Sequence, residues 1–322
     1  MPFSDWPLAQ LRAYRPEIAV PEDFDDFWSS TLAESRAAGG EATLHPAQTP
    51  VTQLIVDDLT FPGFAGEPIR GWVTRPRDAA GPLPTVVEFV GYGGGRGLPH
   101  ERLQWAASGY VHILMDTRGQ GGGWGTGGNT PDPHGSGPAT PGFMTRGVHD
   151  PHEYYYRRVF TDAVRLIDAA RGFDFVDESR ISVVGASQGG GIALAVAGLV
   201  PDLAGVMPDV PFLCDFRRSA QATPLAPFTE LRTYLATNRS KVDDTFRTLS
   251  YFDGVTFAAR ASAPALFSVA LMDDVVLPST VFAAFNNYGG DSEIEVYEFN
   301  GHEGGQTFHW QRQAAWLADR LG

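Results

Sequence analysis

The stretch that most constrains this chain runs from Arg180 to Val196, RISVVGASQGGGIALAV. An apolar strand, Ile181–Val184, enters a turn flanked by glycines, and a helix of small residues, Gly189–Leu199, leaves it. Gly185-Ala186-Ser187-Gln188-Gly189 fits the G-x-S-x-G pattern of a nucleophile elbow. In that pattern the absent side chains let a strand reverse into a helix and leave the serine on a strained, exposed corner. A serine hydroxyl is a weak nucleophile until a base takes its proton. The helix starting at Gln188 points free N–H groups and the positive end of its dipole at that corner, where negative charge on a reacting oxygen can be held. A five-residue pattern also arises by chance in a chain with 37 glycines, so the strand before it and the helix after it are what give it weight.

The rest of the chain suits such an elbow. Thr85–Val90, Val111–Asp116, Ile181–Gly185, Ala204–Pro208, Ala265–Leu271 and Ile294–Phe299 are short, predominantly apolar runs separated by helical segments. Continuous apolar strands belong to a sheet buried on both faces, and helices between them imply parallel crossovers. Before them, residues 51–60 and 68–76 read as a hairpin across Pro62-Gly63 and Gly66. Two antiparallel strands followed by a parallel series, with the elbow after the third of the later strands, predict an eight-stranded, mostly parallel α/β-hydrolase sheet flanked by helices.

At 322 residues the chain is expected to be a single domain, 1–322. Residues 1–50 form an N-terminal arm and helix. In the helix, opened by Pro21 and closed by Gly39-Gly40, Phe24, Phe27 and Trp28 share one face. Residues 119–147 form a Gly/Pro-rich insertion too long for a default loop, and residues 212–260 a helical insertion near the site.

An activated serine needs a base and the base an orienting acid, which in this fold follow in the order Ser, Asp or Glu, His, each on a loop at a strand's C-terminal end. Asp273 is the first acid off the strand Ala265–Leu271, with Asp274 and Glu303 as competitors. His302, alone among eight histidines, sits just beyond the last strand and after both other groups. The oxyanion hole requires the backbone N–H of Gln188 and a second N–H from the loop Val90–Gly95, for which Tyr92 is the candidate. That glycine run lacks the lysine of a P-loop and the spacing of a dinucleotide fingerprint. Trp105, Trp124, Phe212 and Leu213 are candidates for a bulky pocket wall.

A net charge of -14 argues against a nucleic-acid or anionic-membrane partner. No apolar run approaches the roughly 20 residues that span a bilayer, and the first residues carry no basic-then-apolar signal. Cys214 is the sole cysteine, so no intrachain disulfide or cysteine-based zinc site can form. Together these favour a cytoplasmic protein, and the chemistry calls for no metal and no cofactor.

Arg118-Gly119-Gln120, the elbow Gly185–Gly190 and His302-Glu303, with Tyr154–Arg157, Leu249–Asp253 and Pro278–Ala284, make the chain resemble the acetyl xylan esterase and cephalosporin C deacetylase family, carbohydrate esterase family seven. The resemblance implies that Ser187, Asp273 and His302 are a catalytic triad, that the Tyr92 and Gln188 amides form the oxyanion hole, and that Arg118 and Gln120 support the site's loops. It also implies a cytoplasmic homohexamer with sites facing an internal cavity. Where the family has His-Gly-Tyr this chain has Val90-Gly91-Tyr92, and Leu277 stands where a proline is expected. The expected activity is serine esterase removal of acetyl groups from small sugars, xylo-oligosaccharides or cephalosporin-type esters. Its rivals are another ester or a lactone on the same groups, a prolyl-oligopeptidase-like peptidase, and a non-catalytic binding member of the fold.

Overall fold

The computed structural model describes residues 3–135 and 137–321. In chain order its elements are α1 (Leu8–Ala13), α2 (Phe24–Ala37), β1 (Thr43–Pro46), β2 (Leu54–Pro62), β3 (Pro68–Pro76), β4 (Leu83–Phe89), α3 (Gln104–Ala107), β5 (Val111–Met115), α4 (Tyr155–Arg171), β6 (Val176–Ala186) and α5 (Gln188–Leu199). There follow β7 (Gly205–Asp209), α6 (Phe216–Ala222), α7 (Phe228–Thr237), α8 (Val242–Ser250), α9 (Gly254–Arg260), β8 (Ala265–Ala270), α10 (Pro278–Asn286), β9 (Ser292–Tyr297) and α11 (Gln306–Leu321).

Among the described residues, one nine-stranded sheet runs in the order β1-β2-β3-β5-β4-β6-β7-β8-β9. The pairs β1–β2, β2–β3 and β3–β5 are antiparallel and the remaining pairs parallel. The expectation of eight strands is corrected by β1, whose residues TLHP are mostly exposed and end on a proline. An edge strand with one neighbour needs no apolar alternation and tolerates proline, so neither periodicity nor composition marks it.

Apolar runs are required because both faces are covered. On one face α4 and α5 pack with Val87, Ile181 and Val183. On the other, Val86, Val184, Met207 and Leu266 meet Trp105, Tyr110, Trp316 and Leu317. Adjacent valines of one strand therefore serve different cores. Helix α2 buries Phe24, Phe27 and Trp28 as its spacing predicts, and Trp28 Nε1 donates to the Tyr251 carbonyl at 3.0 Å.

The chain places its loops by strand order. After β4 the crossover goes to β5 on one side, and the next returns to β6 on the other, so β4 and β6 flank the switch point where open α/β sheets carry their sites. Phe89 pairs with Gly185, which sets the loop after β4 beside the turn after β6. Residues 119–147 form no regular helix or strand among those described. Buried Asp116 anchors that segment by accepting from Arg96 N at 2.9 Å, Asn129 N at 2.8 Å, and Thr130 N and Oγ1 at 3.0 and 2.9 Å.

Candidate active site

The elbow is built by backbone approaching backbone. A Cβ at Gly185 would run into Gly189, and one at Gly189 into the Phe89 carbonyl oxygen. With both spaces empty, β6 turns into α5 at Ser187, whose φ of 56° and ψ of -117° lie where an L-residue is strained. Three backbone hydrogen bonds hold it there: Ser187 N to Asp209 O at 2.9 Å, and Gly191 N and Phe212 N to Ser187 O at 3.0 and 2.9 Å.

His302, on the turn between β9 and α11, brings Nε2 to 3.0 Å from Ser187 Oγ and Nδ1 to 2.8 Å from Asp273 Oδ2. Asp273 is fully buried on the loop after β8, and its Oδ1 accepts from Val275 N at 2.9 Å and Val276 N at 2.8 Å. A carboxylate held on three sides fixes both tautomer and tilt of the imidazole, with Nδ1 protonated and Nε2 free to accept. Asp274 makes no hydrogen bond to His302 among the described residues. Glu303 instead folds onto its own turn, accepting from Asn300 Nδ2 and Gly301 N, and the Asn300 bond leads the contacts that hold its carboxyl below the usual range.

The expected oxyanion donors are the backbone N–H groups of Gln188, next to Ser187, and of Tyr92, on the loop where a Cβ at Gly91 would lie 3.7 Å from the Ala186 carbonyl oxygen. Neither has an intramolecular acceptor among the described residues, while neighbouring Gly93 N donates to Gln120 Oε1 at 2.6 Å. The Gln188 side chain is fully buried and points away from the corner, donating to Val90 O at 3.1 Å and accepting from Gln120 Nε2 at 2.8 Å and Tyr156 Oη at 2.9 Å. Gln120 thus ties the loop after β4 to the start of α5. Val90 is buried beneath that loop and offers only its carbonyl to the network.

Arg118 acts one layer further out. Its guanidinium is bidentate to Asp162 at 2.6 and 2.7 Å and reaches Glu67 at 2.6 Å. Burial alone would lower its pKa, but Asp162 and Glu67 outweigh burial and raise it, so the charge persists. Burial likewise raises the pKa of Asp162 against Arg118's pull. Such a pair cannot lose one partner cheaply.

Of the four expected wall residues, three pack against the segments that carry Tyr92 and Ser187. Trp124, half-exposed, lies over Gly94 and donates from Nε1 to Tyr92 O at 2.7 Å. Phe212 is buried with its ring 6.1 Å from Tyr92 and 4.4 Å from Phe228. Leu213 is buried against Gly191 of α5. Trp105 is a correction. Its ring packs 5.6 Å from both Tyr110 and Trp310 in the core on the α11 face, because α3 precedes β5 and so lies toward the opposite end of the strands.

Sequence reasoning missed three contributors. Glu230 of α7 meets Tyr92, and Ser4 and Asp5 of the N-terminal arm meet the Asp273 loop. Ser4 N and Oγ donate to Leu271 O and Asp273 O at 3.2 and 2.5 Å. Asp5 accepts from Ser279 N at 2.8 Å and Arg218 Nη2 at 2.6 Å. No sequence signal short of the fold marks contacts across 138 residues or more. No group of three or more His, Cys, Asp or Glu among the described residues is arranged to hold a metal ion. An open groove of about 1050 Å³ between residues 14–23 and helices α6 and α8 is lined by Arg218 but not by Ser187, Asp273 or His302.

The geometry is that of an esterase-type corner, and the comparisons agree. The acetyl xylan esterase (AXE1) family matches residues 1–320. The chain belongs to the acetyl xylan esterase family. It is 38% identical to an acetyl xylan esterase from Paenibacillus sp. R4, with a TM-score of 0.93 over 98% of this chain and 100% of that one. It is 32% identical to acetyl xylan esterase 1 from Thermoanaerobacterium sp. JW/SL YS485, with a TM-score of 0.90 over 99% and 100% of the chains. The acetyl esterase Axe7A of Xylanibacter ruminicola is 26% identical over 321 residues, covering 89% of this chain, which spans 65% of that relative's length. The α/β-hydrolase architecture of this family is therefore that of the chain.

Proposed function

We propose that this protein is a serine esterase that removes acetyl groups from small acetylated sugars such as xylo-oligosaccharides, through an acyl-enzyme. The observation that carries the reading is the unbroken line Asp273, His302, Ser187 at 2.8 and 3.0 Å, ending beside two N–H groups with no intramolecular acceptor.

His302 Nε2 takes the Ser187 hydroxyl proton as Oγ attacks the ester carbonyl, and Asp273 stabilises the imidazolium that forms. The Tyr92 and Gln188 amides hold the oxyanion, a role typically worth about 3–4 kcal/mol per donor in the transition state. His302 then returns the proton to the departing sugar oxygen, leaving acetyl on Ser187. Water, deprotonated by His302, attacks that acetyl, and collapse releases acetate and restores Ser187.

Phe212, bonded through its N–H to Ser187 O and packed on Tyr92 and Phe228, favours a short acyl group. Cephalosporin-type acetyl esters present the same acyl group on another alcohol and belong to the same proposal. So do the cytoplasmic homohexamer and the supporting roles of Arg118 and Gln120; a purified chain sedimenting as a monomer would remove the hexamer.

Rates on p-nitrophenyl esters from acetyl to octanoyl, with Ser187→Ala alongside, test the reading. A steep fall beyond propionyl, with no activity in the variant, is expected. A maximum at longer chains would overturn acetyl preference, and activity persisting without Ser187 would overturn the mechanism.

A further inference from the structure

Three segments far apart in sequence converge on one carboxylate. Glu230, on the first turn of α7, is nine-tenths buried, and its Oε1 accepts from Tyr92 Oη at 2.7 Å. Its Oε2 accepts from Met144 N at 3.0 Å. Tyr92 Oη in turn accepts from Phe143 N at 2.5 Å. Gly142 closes the contact: any Cβ there would overlap the carboxyl carbon and both its oxygens. One side chain thus joins the helical insertion, the glycine- and proline-rich insertion and the loop after β4.

We infer that Glu230 is a positioning residue for the oxyanion hole, acting on the Tyr92 amide through Tyr92 Oη. The inference rests on the esterase reading above. An oxyanion donor works only if its N–H is aimed before the charge appears. Tyr92 carries its N–H on a loop with glycine on both sides, whose backbone has many alternative conformations. Two contacts remove that freedom. Trp124 holds the Tyr92 carbonyl, and Glu230 holds the far tip of its ring, so the residue is gripped at both ends. Both carboxylate oxygens accept N–H or O–H donors, an arrangement that suits the ionised form. Burial pushes the Glu230 carboxyl above its ordinary range, while Tyr92, Met144, Phe143 and Arg146 pull it back.

The test is a double-mutant cycle with Glu230→Ala, Tyr92→Phe and the double variant, read as kcat and KM on p-nitrophenyl acetate. Glu230→Ala is expected to lower kcat about 30-fold with KM within about threefold, less than the roughly 100- to 1,000-fold cost of losing a whole oxyanion donor. Glu230→Gln keeps an acceptor for Tyr92 Oη but turns an NH₂ toward Met144 N, so it should recover most of the loss. Because Glu230 acts through Tyr92 Oη, the double variant should match the slower single variant rather than multiply the two. A kcat within twofold of wild type in Glu230→Ala, a loss carried by KM alone, or full multiplication in the double variant would each overturn the inference. If Glu230→Ala does not fold, Glu230→Leu, which fills the space but offers Tyr92 Oη no acceptor, takes its place in the same cycle, with the same outcomes deciding. Ser187→Ala separates the two levels. Activity surviving there sinks the esterase reading, whereas a Ser187-dependent rate indifferent to Glu230 sinks only the positioning role.

Discussion

The two halves of the proposed catalytic corner are held by different physics. On the nucleophile side, Ser187 is placed by close backbone approach: Gly185 against Gly189 within the turn, and Gly189 against Phe89 of β4. On the acid–base side, Asp273 and His302 sit on separate loops whose relative position depends on polar contacts from far away. Ser4 and Asp5 bind the Asp273 loop and the start of α10, and Arg218 of α6 joins Asp5 to Ser279 Oγ at 2.6 Å while stacking 3.6 Å from the Trp6 ring. Close packing fails all at once, whereas a set of hydrogen bonds each worth about 0.5–1.5 kcal/mol fails in steps. The elbow should therefore couple activity to stability, and the acid–base side should let activity fall while the fold survives.

Breaking the acid–base side chemically should give the largest loss. Asp273→Asn keeps the shape but favours the wrong imidazole tautomer, and kcat on p-nitrophenyl acetate is expected to fall about 10⁴-fold. Circular dichroism and the melting temperature should stay near wild type; an unfolded variant would contradict the comparison. On the other side, Gly189→Ala forces β4 and α5 apart. It should cost about 1–3 kcal/mol or more of stability, and rate should be lost together with thermal stability. A Gly189→Ala variant with full stability and no activity would show that the elbow, too, can be uncoupled.

Smaller effects sharpen the contrast. Asp5→Ala removes an acceptor for the first turn of α10 and the partner of Arg218, and should cost about 1–2 kcal/mol and lower kcat about tenfold through Asp273. Initial rates and thermal melts measured on one preparation would check that the rate falls more than the loss of folded protein explains. The smallest effect is a pH dependence. Asp253 accepts from Asp215 N and Phe216 N, so it anchors the start of the helix that carries Arg218. Burial first, then the charge of Asp215, pushes its carboxyl up to about 7. The folded chain then keeps a proton that the unfolded chain releases near pH 4, so this contribution is full below that pH and is lost as pH rises toward 7. Asp253→Asn cannot titrate, and its melting temperature relative to wild type should rise between pH 4.5 and 7. A constant difference across that range would refute the assignment.

Much of the corner was legible because its signals are local. Ser187 is announced by glycines that only a tight turn requires, and α2 by three aromatic residues at helical spacing. Asp273 and His302 could be named from the ends of apolar strands, and the structure brings both into hydrogen-bonded line with Ser187. Edge strand β1 escaped because one-sided pairing imposes no pattern. Trp105 was misplaced because a tryptophan near a strand end reads alike whether it packs at the top of the sheet or beneath it.

The amino-acid sequence by itself determined the class of sheet, the order of its reactive groups and the turn that strains the nucleophile, since each follows from backbone sterics or hydrophobic period within a short window. Tertiary structure alone decided which carboxylate faces His302, which tryptophan reaches the Tyr92 loop, and that Glu230 and Asp5 serve opposite sides of the corner. Those contacts join residues 29 to 274 positions apart, as from Asp273 to His302 and from Asp5 to Ser279. Their partners are chosen by the fold that closes the distance, and no local pattern records that choice.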